Sequence, residues 1–197
     1  MRKSKVLIII LLFSFIVNIL VSYQVLSHSQ VARVYDENAR LKDGFDLYES
    51  LFLELDENIF ERIKGFICLS ELQAHPRLYE FIEALAWRAM HIFKLSDEGI
   101  MILIVNMFFL LILLLSTYGI GSAIYSNEVG FFSALFVSML PMVFAHSRIA
   151  MLDFPLTCMV SLSLYLLIKT QRFSSLLYST FFGISMGLSQ LTKESAV

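Results

Sequence analysis

Apolar residues in this chain fall into blocks too long for the core of a soluble domain. The first, Val6–Leu26, follows the basic start Met1-Arg2-Lys3-Ser4-Lys5. At 1.5 Å per residue, about 20 apolar residues cross the ~30 Å hydrocarbon layer of a bilayer, and this block is long enough. Later blocks run over Gly99–Ser122, Val129–Ala145, Phe154–Ile168 and Leu176–Leu191. The last two are short for a span. The pattern predicts an all-α, polytopic integral membrane protein with about five transmembrane helices. The first block is too long for a signal-peptide core and lacks a small-x-small cleavage site, so it reads as an uncleaved anchor.

Between the first two blocks the pattern changes. Residues 27–98 form one long loop, but not a featureless one. Phe45, Tyr48, Leu51, Phe52, Leu55, Ile59, Phe60 and Ile63 recur at helical spacing, with acids between them. A second amphipathic set follows Pro76: Leu78, Phe81, Ile82, Leu85, Met90 and Phe93. Such helices lie along an interface or jacket a transmembrane bundle. Ser96, ahead of Asp97-Glu98, is the expected N-cap of the second membrane helix.

Charge sets the orientation. Arg2, Lys3 and Lys5 put the N-terminus in the cytoplasm, and Lys169 and Arg172 fall on the same side. The long loop is then extracytoplasmic; its basic residues carry little weight, because loops beyond about 60 residues translocate regardless of charge. The chain is 57% hydrophobic and 16% charged, with a mean hydropathy of +0.72. Its net charge of −2 gives no reason to expect nucleic acid as a partner. Two dispersed cysteines, Cys68 and Cys158, make neither a disulfide framework nor a zinc site. Nothing in the sequence supports a cofactor or a divalent metal, and no Walker loop or dinucleotide fingerprint is present.

With this sidedness several charged residues converge on the outer face. Asp36-Glu37 opens the long loop, and His75-Pro76 lies within it. Arg148 and Asp153 occupy the link between the third and fourth segments, and Lys193 follows the fifth. Charges near membrane depth are costly and mark sites. On pattern alone, Asp36 and Glu37 are more ordinarily solvated loop acids, and Asp153 is equally a cap that complements a helix dipole. Arg148 and Lys193 also suit interface anchoring and snorkelling. Gly183-x-x-x-Gly187 reads as a helix-packing face.

The stretches Tyr35-Asp36-Glu37, His75-Pro-Arg-Leu-Tyr79, Ser147-Arg-Ile-Ala-Met-Leu-Asp-Phe-Pro-Leu156 and Gly187-Leu-Ser-Gln-Leu-Thr-Lys-Glu194 occur in this order. Together they resemble the N-terminal part of GT-C glycosyltransferases of the protein-mannosyltransferase and aminoarabinose-transferase type. Arg77 departs from that family's usual second proline. The resemblance covers the whole chain, 1–197, which then reads as a fragment of a longer transmembrane domain. It implies transfer of a sugar from a polyprenyl-phosphate donor to a protein, lipid or polysaccharide acceptor on the extracytoplasmic side. It makes Asp36 the catalytic base, with Glu37 beside it and Asp153 shaping the pocket. His75 then contacts substrate, while Arg148 and Lys193 hold the donor phosphate. A bacterial inner membrane fits better than the endoplasmic reticulum. Two other readings stay open: a transporter or flippase for a lipid or anion, and a non-catalytic membrane assembly protein.

Overall fold

The computed structural model describes residues 14–24, 35–52, 78–95 and 97–193, with side chains in the second segment from Leu41 onward. Every element among them is helical: α1 (Ser14–Gln24), α2 (Tyr35–Phe52), α3 (Leu78–Ile92), α4 (Glu98–Ile124), α5 (Asn127–Met139), α6 (Pro141–His146), α7 (Asp153–Lys169) and α8 (Leu176–Gln190). Among the described residues, α4 alone has the length and apolarity to cross a membrane, at 27 residues. The expected first span is described only over α1, and the outer-loop pattern beyond Phe52 lies outside the described residues.

Helix α4 is the axis. Its N-terminus is capped by Asp97, whose carboxylate accepts from the Ile100 amide at 3.1 Å, so the cap lies one residue later than the expected Ser96. Helices α3, α5 and α7 pack on it; α2 packs on α3, and α8 on α7. The α4–α5 crossing is made by glycines: a Cβ on Gly121 would lie 2.6 Å from the Gly130 Cα. Gly119 lies under the Tyr165 ring of α7 in the same way. Between α7 and α8, the Ser163 hydroxyl donates to that of Ser185 at 3.0 Å.

Three expectations change. Gly183 and Gly187 make no packing face among the described residues: a Cβ on either meets nothing within 4 Å there. The tight approaches fall instead where α4 already has neighbours on most sides. The third expected span, Val129–Ala145, is two helices. Leu140 takes φ −63°, ψ 127° before Pro141, which cannot donate an amide to the turn below and pushes its predecessor out of the helical region.

The third change is on α3, which buries a different face from the one its large apolar residues suggest. Phe81, Leu85 and Phe93 are exposed, whereas Tyr79, Glu80, Glu83, Ala84, Trp87 and Met90 are buried. Small residues explain this, because they allow close approach. Glu83 packs directly against Gly44 of α2, where a side chain would collide with its carboxylate. Trp87 meets Phe45 edge-on at 5.4 Å between centroids.

Candidate functional site

The proline break ends α5 and starts the short α6, which stops at His146 and is followed by a non-helical link from Ser147 to Leu152. Two short-range bonds shape it. The Ser147 hydroxyl donates to the Phe144 carbonyl at 3.1 Å, and the Met151 amide to the Ile149 carbonyl at 3.0 Å. The latter closes a three-residue turn.

Arg148 lies in this link and is only 6% exposed. Its guanidinium carbon stands 3.1 Å from the centroid of the Phe144 ring, and Nη1 donates to the Phe144 carbonyl. Nε and Nη2 have no hydrogen-bond partner among the described residues. Burial pushes the guanidinium well below its ordinary value, down to about 10. A buried cation with two unfilled donors is costly unless something anionic satisfies them. The planar fork suits a phosphate or carboxylate.

Asp153 opens α7, and Lys193 follows the end of α8. The ammonium of Lys193 donates to Asp153 Oδ1 at 2.6 Å, with both side chains partly open to solvent. Each residue complements the dipole of its own helix, an acid at an N-terminus and a base just past a C-terminus. Because α7 and α8 form an antiparallel hairpin, 40 residues of separation in sequence become one contact in space.

Two more contacts tie the start of α3 to these residues. The Leu78 amide donates to the Leu191 carbonyl at 2.9 Å. The Tyr79 hydroxyl donates to Asn106 Oδ1 at 3.2 Å, and Asn106 Nδ2 donates to the Ile149 carbonyl at 2.9 Å. The stretches around residues 78–79, 148–153 and 191–193 therefore meet on the flank of α4 and the α7–α8 hairpin.

Of the residues selected from sequence, Arg148, Asp153 and Lys193 fall in these stretches, and Asp153 and Lys193 touch. Asp36 and Glu37 occupy the first turn of α2, a helix rather than a loop, and their side chains lie outside the description. His75 lies outside the described residues. Asn106 was not among the candidates, although its signal is in the sequence: a single carboxamide in the apolar run Met101–Leu115. The buried acids Glu80 and Glu83 were also missed, because charged residues on a helix normally mark its solvent face. Among the described residues, no three His, Cys, Asp or Glu side chains stand together as a metal group.

A family model described as dolichyl-phosphate-mannose-protein mannosyltransferase matches residues 75–197. That span holds His75, Arg148, Asp153 and Lys193, while Asp36 and Glu37 precede it. No curated protein matches the chain, and no solved structure does.

Proposed function

This chain belongs to the dolichyl-phosphate-mannose-protein mannosyltransferase family, and on that premise we propose that it carries the donor side of a polyprenyl-phosphate-sugar transferase site. The family gives the coarse class, a membrane glycosyltransferase of the GT-C type, and supports a polyprenyl-phosphate sugar as the donor. The finer reading is ours. The chain spans the membrane several times with its N-terminus in the cytoplasm, and the sugar moves on the extracytoplasmic side.

In this reading Asp36 removes the proton from an acceptor hydroxyl or amine. The acceptor atom forms a bond to the anomeric carbon, and the anomeric C–O bond breaks with its electron pair leaving on the polyprenyl phosphate. Phosphate is already a good leaving group, so no acid need protonate it. Arg148 supplies two free donors to that phosphate, and Lys193 turns from Asp153 to it as charge builds. Asp153 shapes the sugar pocket; Glu37 and His75 are the flanking substrate contacts. The acceptor is a protein, lipid or polysaccharide. The outward Phe81 and Leu85 of α3, with Phe93 just past its end, suit a helix lying in the membrane interface.

One observation carries the reading most: a buried arginine with two unfilled donors stands in a stretch tied to the Asp153–Lys193 pair and the Leu78–Leu191 contact. The test is sugar transfer by the full-length protein in its native membrane from a radiolabelled polyprenyl-phosphate mannose. Asp36→Asn and Arg148→Gln should each lower transfer at least about a hundredfold, the scale of one lost acid–base or electrostatic contribution. Unchanged transfer in both variants would defeat the assignment. Donor translocation without transfer would favour a flippase.

A further inference from the structure

Helix α4 contains several polar side chains, and most of them serve their own helix. Ser116 donates to the Ile112 carbonyl, Thr117 to Leu113 and Ser122 to Gly119. Asn106 instead spends both ends of its carboxamide on other elements, at full burial. The Ile149 carbonyl can only accept, which forces Nδ2 toward it and leaves Oδ1 for the Tyr79 hydroxyl. The direction of both bonds is therefore fixed. The same Ile149 carbonyl also takes the Met151 amide, so both of its lone pairs are used.

We propose that Asn106 is a positioning residue for the transfer reaction: it clamps the peptide next to Arg148 and joins it, through Tyr79, to the first turn of α3. The inference rests on the glycosyltransferase reading above. Without the clamp, the Ser147–Leu152 link keeps its turn bonds and the contacts of Arg148 with Phe144, but loses the Asn106 tie that holds it to α4. An error of about 1 Å in such a group is enough to slow a reaction about a hundredfold. The leaving phosphate gains charge in the transition state, so a misplaced Arg148 costs kcat more than KM. A carboxylate at position 106 could not serve, since it would turn an acceptor toward the Ile149 carbonyl. Glutamine, longer by one methylene, keeps the donor and the acceptor.

The test uses the full-length protein in native membranes with Cys68→Ser and Cys158→Ser, and a probe thiol from Ser147→Cys. Ser147 is 1% exposed, so its thiol should react slowly with N-ethylmaleimide while the link is held. Asn106→Leu should speed labelling about tenfold. Tyr79→Phe, which removes one hydroxyl and leaves the Ile149 bond in place, should speed it less, and Asn106→Gln least. Transfer is measured in parallel without the probe thiol, per folded molecule counted from the monodisperse peak. There Asn106→Leu should lower kcat about tenfold with KM for donor within about twofold, and Asn106→Gln should recover most of the loss. Labelling unchanged by Asn106→Leu overturns the clamp. Faster labelling with kcat per folded molecule unchanged overturns its role in catalysis. Absence of transfer in the parent protein would sink the glycosyltransferase reading, while the labelling rates would still decide the clamp.

Discussion

Alanine at Gly121 and at Gly183 should shift stability in opposite directions. Both are helical glycines in apolar surroundings, and sequence pattern favours Gly183 as the packing position. At Gly121 a new methyl would lie 2.6 Å from the Gly130 Cα and 3.0 Å from its amide nitrogen, both backbone atoms with no rotamer to escape through. Carbon atoms rest at about 3.5–4.0 Å, so α4 and α5 must part by about 1 Å. Overpacking of this kind costs about 1–3 kcal/mol, and the gain in helix propensity returns only about 0.5–1 kcal/mol. At Gly183 and Gly187 the methyl meets nothing within 4 Å, so the propensity gain stands alone. For a chain of this size 1 kcal/mol moves Tm by about 2–4 °C. In mild detergent, Gly121→Ala should therefore melt several degrees below the parent. Gly183→Ala and Gly187→Ala should each melt about 2 °C above it. Size-exclusion chromatography with fluorescence detection after a heat step reads both. A loss at Gly183 or Gly187 as large as that at Gly121 would refute the packing scheme, and would point to a partner on the open side of α8.

Other expectations follow from single contacts. Asp153→Asn or Lys193→Gln breaks an ion pair that is half open to solvent and worth about 0.5 kcal/mol. Tm should stay within about 2 °C, while transfer falls at least about tenfold; a large Tm loss would make the pair structural instead. Asp97→Ala removes the α4 cap and should cost about 1 kcal/mol, with Asp97→Asn nearly neutral by the same melting assay. Arg148 has its folded pKa lowered by burial to about 10, so burial penalises the charged form below about pH 10 and the penalty fades as pH rises toward the ordinary guanidinium value. Phosphate affinity that depends on this charge should therefore weaken as pH rises through about 10. Arg148→Gln should abolish that step in an inorganic phosphate titration.

Apolar blocks located the helices well where helix ends are set by solubility alone. Gly99–Ser122, Phe154–Ile168 and Leu176–Leu191 each match an observed helix within a few residues. The break inside Val129–Ala145 was legible in Pro141, yet block length outweighed it. The buried face of α3 was not legible, because hydropathy ranks Phe81 and Leu85 above Ala84 and Glu83, while close packing against Gly44 rewards the small residue and the shape of the carboxylate. The same limit hid Asn106. Pattern reading treats a lone polar residue in an apolar run as tolerated noise, whereas its worth depends on Tyr79 and Ile149, which are distant in sequence. The motif order brought Arg148, Asp153 and Lys193 forward, and two of them, Asp153 and Lys193, meet as an ion pair.

The hairpin that carries Asp153 and Lys193 is short. Helix α7 has 17 residues and α8 has 15, about 25 Å and 22 Å of helix, against about 40 Å for the 27 residues of α4. A lipid layer that fits α4 is too thick for the hairpin, and lipid answers such a mismatch by thinning locally. Headgroups would then dip toward the end where Asp153 and Lys193 meet. A phosphate on a long isoprenoid tail would sit lower there than elsewhere in the leaflet, level with the residues proposed to receive it. Thicker synthetic bilayers should therefore slow this protein by straining the membrane around it, with no change to any of its side chains.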